Sequence, residues 1–147
     1  MKVSQITSNK KKYLNLLLLA DEKENMIDRY LERGEVFVLH DSALCSIAVV
    51  TDEGDGICEL KNLATAPEHQ RQGYAKQLVQ FLFKRYAQTH RMMLVGTGGT
   101  PAILSFYKSC GFVYSHRVPD FFTKNYTSPI VEDGVTLRDM VYLKKAL

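Results

Sequence analysis

Residues 69–78 read His-Gln-Arg-Gln-Gly-Tyr-Ala-Lys-Gln-Leu, a composition suited to holding an anion. Arg71 supplies a mobile cation, and Gln70 and Gln72 supply neutral donors. Gly73 supplies backbone with no side chain in front of it. An apolar run ending in Pro67 precedes the stretch, and a helical pattern follows it. Where a strand hands over to a helix, the first helical N–H groups are unpaired and partly positive, so a phosphate can sit there. The turn therefore reads either as a pyrophosphate cradle or as a plain strand-to-helix turn with a capping glycine.

Other chemistry is sparse. His40, His69, His90 and His116 have no ligand spacing with one another or with cysteine and carboxylate pairs, so no catalytic metal is expected. Cys45, Cys58 and Cys110 are odd in number and form no C-x-x-C, which predicts reduced thiols in a cytoplasm. "LVGTGGTPA" (Leu94 to Ala102) has the form of a dinucleotide turn, with Asp120 further on. Pro101 takes the place of the third glycine, and too short a unit follows to make half of a nucleotide-binding fold.

The 147 residues fit a single domain over 1–147, with 46% hydrophobic and 24% charged residues, an ordinary globular balance. A net charge of +3 without a basic run is not a nucleic-acid signature. "KKKYLNLLLLA" (Lys10 to Ala20) starts like a signal peptide. Asn15 interrupts the run, and Asp21 to Glu24 follow without a small-residue cleavage site, so a packed helix is expected and no membrane segment.

Val3 to Ile6 reads as a strand, and Lys10 to Ala20 and Glu22 to Arg33 as two helices, the second stopped by Gly34. Glu35 to His40, Ala43 to Thr51 and Ile57 to Ala66 form a meander. Gly73 to His90 is a helix with an apolar stripe of Ala75, Leu78, Val79, Leu82, Phe83 and Tyr86. Met92 to Thr97 is a buried strand, and a helix from Pro101 to Cys110 is stopped by Gly111. Phe112 to Val118 and Leu137 to Lys145 are the last strands, with an aromatic loop between them. The order is that of a mixed α/β fold.

"LATAPEHQRQGYA" (Leu63 to Ala75) resembles the acetyl-CoA signature of the GNAT superfamily of N-acetyltransferases, Gln/Arg-x-x-Gly-x-Gly/Ala after a strand. Gln70, Gly73 and Ala75 occupy its fixed positions. "FYKSCGF", with Tyr107, Gly111 and Phe112, resembles a second feature of the same family at the expected separation. The element order matches too, so the resemblance covers nearly the whole chain. "LLLLAD", "KSCGF", "DFFTKNY" and "DMVYLKK" are also similar to a small bacterial subgroup labelled indole-acetic-acid acetyltransferase-like.

The resemblance implies a mixed, mostly antiparallel sheet of about seven strands flanked by about four helices. It implies an N-acetyltransferase that moves acetyl from acetyl-CoA to a primary amine directly, in a ternary complex and without a metal. The acceptor would be a small molecule or a peptide amine, not a nucleic acid or a membrane, and the family is often homodimeric. Arg71, Gln72 and Tyr74 fall with the signature residues in the coenzyme site. Tyr107 matches the family's general acid, which protonates the leaving thiolate; the alternative, less favoured by the motif register, is a core ring on the Ile103–Phe106 stripe. Glu59 falls where one branch of the family carries its base, on a strand where Glu59, Lys61, Leu63 and Thr65 alternate with Leu60, Asn62 and Ala64. It could equally be a surface carboxylate paired with Lys61. Leu63 matches the position whose amide polarises the acetyl carbonyl, and Leu63 and Thr65 would pair with the pantetheine arm like an added strand.

Two positions depart from the pattern. Thr100 stands where many members have a pantetheine-contacting asparagine, and Thr65 replaces a commoner valine. Phe121, Phe122 and Tyr126 fall where the family borders its acceptor pocket, or else they staple a long loop to the core. A non-catalytic acyl-CoA sensor on the same fold would keep the cradle without needing Glu59 or Tyr107.

Overall fold

The computed structural model describes residues 1–147. Seven strands form one sheet: β1 (Lys2–Ile6), β2 (Glu35–His40), β3 (Leu44–Gly54), β4 (Ile57–Thr65), β5 (Met92–Thr97), β6 (Val113–Val118) and, last in the chain, β9 (Met140–Ala146). Their order is β1-β2-β3-β4-β5-β9-β6, and only β4 and β5 run parallel. The longest helices, α3 (Tyr74–Tyr86) and α4 (Pro101–Ser109), connect β4 to β5 and β5 to β6.

Both faces of the sheet are covered. Phe37, Leu39, Ala48 and Val50 point to one side, where Leu78, Val79, Leu82 and Tyr86 of α3 pack with Tyr107 and Phe112. Val36, Val38, Ile47 and Val49 alternate to the other side, under Leu17, Ile27, Tyr30 and Leu31. No helix is long and apolar enough to cross a membrane.

The second face departs from expectation. Lys10 to Ala20 yields a 3₁₀ turn (Lys10–Tyr13) and a single turn, α1 (Leu14–Leu17); Glu22 to Arg33 yields only α2 (Glu24–Ile27) followed by turns. None of these starts has a side-chain cap, and Leu19 and Arg29 bond three residues back instead of four. Burial of Leu17, Ile27 and Leu31 fixes these segments more than helical length does. Lys10 Nζ closes the region by donating to the carbonyls of Leu31, Glu32 and Gly34 at 3.1, 3.0 and 2.7 Å. The helix expected from Gly73 to His90 begins at Tyr74 and stops at Tyr86, whose carbonyl accepts the amides of Thr89 and His90.

The aromatic loop is also structured. It holds the short helix α5 (Phe121–Asn125) and a hairpin of β7 (Val131–Glu132) and β8 (Val135–Thr136). The strand expected from Leu137 begins at Met140, because Leu137 turns in and donates its amide to Ile130 O at 2.8 Å.

One irregularity positions the site. Val49 pairs with Asn62 and Val50 with Leu60, so Lys61 is an extra residue, a β-bulge in β4. Cys58 and Leu60 face the α3 side, and past the bulge so does Leu63; Asn62 and Ala64 face the α1 side. The alternation expected from Glu59 to Thr65 is thereby broken, and Glu59 lies on the face opposite Leu63. The β4–β5 pairing also ends at Leu60 and Val95, although both strands continue. A wedge opens between them.

Candidate active site

Two cavities enter this wedge. The larger, about 620 Å³, runs from Leu63 and Thr65 on β4 over the turn to Lys76 at the start of α3. Gln70, Arg71, Gly73, Tyr74 and Ala75 line it. Gly73 is the N-cap of α3 with φ 86°, a left-handed conformation natural to glycine. A Cβ built there would meet only Gln77 Nε2, at 4.0 Å, so the backbone faces open space. The first turn of α3 has no acidic side chain to occupy its unpaired N–H groups. This is the geometry of an anion cradle.

The turn is braced from within. Gln70 Nε2 donates to Thr65 O at 3.1 Å, and Gln72 Nε2 to Glu68 O at 3.3 Å. Each amide keeps a second N–H for a ligand. Tyr74 donates its hydroxyl to Asp41 Oδ2 at 2.7 Å, tying the cradle to the β2–β3 hairpin.

The second cavity, about 270 Å³, fills the wedge itself, between Leu60–Leu63 of β4 and Val95–Thr97 of β5. Leu19 to Asp21, Phe122, Tyr126, Glu132 and Met140 cover it. Leu63, Ile103 and Tyr107 line both cavities and are the wall where they meet. A third cavity, about 180 Å³, adjoins the far side and shares Asp21, Leu60, Lys61, Gly96, Tyr126 and Met140 with the second.

Tyr107 is only 6% exposed, wedged edge-on between Phe106 and Phe112 with ring centroids at 5.1 and 5.5 Å. Burial pushes its hydroxyl well above the usual phenol range, and the nearby Cys110 adds to this. The group is thus held protonated, and it makes no hydrogen bond within the chain. At the junction of two cavities, it is a proton donor without an internal acceptor.

The Acetyltransferase (GNAT) domain family matches residues 32–114 of this chain. The chain belongs to the GNAT acetyltransferase family. The uncharacterized N-acetyltransferase YvbK of Bacillus subtilis (strain 168) is 34% identical over 132 residues, covering 88% of this chain and 85% of YvbK. A GNAT family acetyltransferase from Elizabethkingia anophelis, solved with acetyl-CoA bound, superimposes with a TM-score of 0.93 at 29% identity, over 99% of this chain and 97% of that one. An IAA acetyltransferase from Bacillus cereus ATCC 14579 gives a TM-score of 0.89 at 29% identity, over 99% and 100%. The mixed, mostly antiparallel seven-stranded fold is that of the GNAT acetyltransferases, and the chain is an acetyltransferase of this family.

In this GNAT chain the residues expected in the coenzyme site are gathered, with two exceptions. Gln72 braces the turn without lining the cavity. Thr100, 3% exposed, caps α4 through its backbone and lines neither cavity at the wedge. Phe122 and Tyr126 line the wedge cavity with their rings stacked at 5.8 Å, while Phe121 lines the third cavity. Glu59 also opens into the third cavity, apart from Tyr107. Its carboxylate pairs with Lys61 Nζ at 3.1 Å and accepts from Tyr142 OH at 3.4 Å. Burial raises its pKa, and the Lys61 charge opposes that rise.

Sequence reasoning passed over Asp21, Asn62, Lys76, Glu132 and Tyr142, all of which line these cavities or touch Glu59. Lys76 carried a readable signal, since a cation in the first turn opposes the helix dipole unless an anion sits there. Asp21 carried none, because its partner Tyr126 is 105 residues away.

Proposed function

We propose that this GNAT acetyltransferase moves the acetyl group of acetyl-CoA to a primary amine by direct transfer, with both substrates bound together. The meeting of the two cavities at Leu63, Ile103 and Tyr107 carries this reading. A pyrophosphate on the α3 N-terminus, with Arg71 and Lys76 beside it, sends the pantetheine arm along β4 toward the wedge. Past Leu60 the β5-facing edge of β4 has no neighbouring strand, which favours pairing with the arm. The acceptor amine enters from the wedge cavity.

The amine nitrogen bonds to the carbonyl carbon as the C–S bond breaks. The Leu63 amide polarises the carbonyl, and the Tyr107 hydroxyl gives its proton to the departing thiolate. Glu59 takes the proton lost by the amine, over a distance and through solvent. Its raised pKa suits a base, although its pairing with Lys61 tempers that role. A sensor would need the coenzyme cavity alone; the second cavity and the unpaired Tyr107 hydroxyl favour catalysis. One sheet running through 1–147 supports a single domain, and three buried free thiols fit a cytoplasmic protein.

Calorimetric titration of acetyl-CoA, with NAD as control ligand, tests the cradle. Amine-dependent release of free thiol then tests transfer. One-site acetyl-CoA binding without NAD binding is expected; no acetyl-CoA binding would reduce the turn to a helix cap.

A further inference from the structure

On the face of the sheet opposite Tyr107, the wedge cavity is lined by acceptors with spare capacity and no ion-pair partner. Asp21 and Glu132 both line it, and neither enters any ion pair of the chain. The one cation lining it, Lys61, is paired with Glu59 at 3.1 Å. Asp21 is fixed in place: Tyr126 OH donates to its Oδ1 at 2.7 Å and Tyr30 OH to its Oδ2 at 3.2 Å. Burial raises the pKa of both phenols, so both stay donors. A carboxylate has roughly four acceptor positions, and the two phenols leave about half of them free.

An independent observation comes from Asn62, a wall residue of the same cavity that is 3% exposed. Its Nδ2 is spent on Leu17 O and Tyr30 OH, both at 3.1 Å. Its Oδ1 is the only buried side-chain N or O in the chain with no hydrogen-bond partner. A buried acceptor is costly without a donor. Arg33 and Arg29 stand in the adjoining cavity, where Arg33 pairs with Glu53 at 3.0 Å and Arg29 donates to Asn125 Oδ1 at 3.2 Å.

We propose that the acceptor is a short α,ω-diamine, one amine attacking beside Tyr107 while the other is held as an ammonium by Asp21, Glu132 and the Asn62 amide oxygen. The proposal rests on the acetyl-transfer reading of the same site. An ammonium has three donors and no acceptor, which suits the spare acceptors on this side of the cavity. The stacked Phe122 and Tyr126 rings flank the methylene chain. A carboxylate or phosphate at that position would meet Asp21 and Glu132 with like charge.

The test uses three amines of five carbons each with acetyl-CoA and the whole protein: 1,5-diaminopentane, n-pentylamine and 5-aminopentanoate. Thiol release gives kcat/KM for each. The diamine is expected to exceed n-pentylamine by about tenfold or more, from one charge-assisted hydrogen-bond set, and 5-aminopentanoate to be poorest. Asp21→Asn should bring the diamine-to-monoamine ratio near one, and Glu132→Gln, on the exposed hairpin, should lower it without risk to the core. Equal rates for the diamine and monoamine overturn the proposal. So does preference for 5-aminopentanoate, which would assign the pocket to Arg29. Acetyl-CoA binding with no turnover of any of the three overturns it while leaving the coenzyme site standing. No acetyl-CoA binding removes both readings.

Discussion

Tyr107→Phe separates catalysis from architecture in this site. The hydroxyl makes no hydrogen bond within the chain, so its removal breaks no internal contact, and the ring keeps its edge-on packing with Phe106 and Phe112. Stability should stay within about 1 kcal/mol of the parent, shifted if at all to the stable side, because a desolvated hydroxyl without an internal partner is lost. Turnover should fall by about 10²- to 10⁴-fold, the usual worth of a positioned general acid. At 1.36 kcal/mol per decade this is about 2.7–5.4 kcal/mol of barrier. Thermal melts measure the first quantity and thiol release at saturating amine the second, and calorimetry should find acetyl-CoA affinity unchanged. Turnover within about twofold of the parent would refute the assignment. A loss of coenzyme affinity that accounts for the whole rate change would make the hydroxyl a binding contact.

Gly73→Asp should abolish acetyl-CoA binding in the same titration, since about 4 kcal/mol of like-charge repulsion is available at 4 Å near a protein surface; Gly73→Ala, strained by its positive φ, should cost about 1–2 kcal/mol of stability in denaturant melts. Glu59→Gln should remove the acid limb of the pH–rate profile. The raised pKa of Glu59 means that the folded state favours the protonated form, so its contribution to stability is present below the unfolded pKa and lost as pH rises through the raised folded one. The variant should therefore gain stability relative to the parent between acid and neutral pH, which paired melts would detect. Leu82→Ala, at a fully buried site under the sheet, should cost about 2–5 kcal/mol, seen as a lower melting temperature with the fold retained.

Sequence carried local features well. The stripe of Leu78, Val79, Leu82 and Tyr86 declares its own face, and Gly73 before it marks the helix start. The Asp133-Gly134 turn was equally legible, with positive φ at both residues as a tight hairpin requires, yet an aromatic loop was expected there. The Lys61 bulge had no local signature. It arises from how β4 pairs with β3, and it sends Glu59 to the face opposite Leu63. The wedge, the Asp21–Tyr126 contact and the orphaned oxygen of Asn62 exist only once distant segments meet.

The two sides of the wedge are built to different standards of rigidity. The side proposed for the coenzyme rests on a helix of 13 residues with a continuous apolar stripe. The wedge cavity beside it is covered by the turn after the four-residue α1, by the five-residue α5 and by a two-by-two hairpin. Such short pieces open locally at little cost, so their amides should exchange with solvent well before those of α3 and the central strands. The same inequality bears on how a lineage of such enzymes diversifies. Substitutions in the roof disturb no long element, so the choice of amine can drift while the coenzyme grip is inherited unchanged.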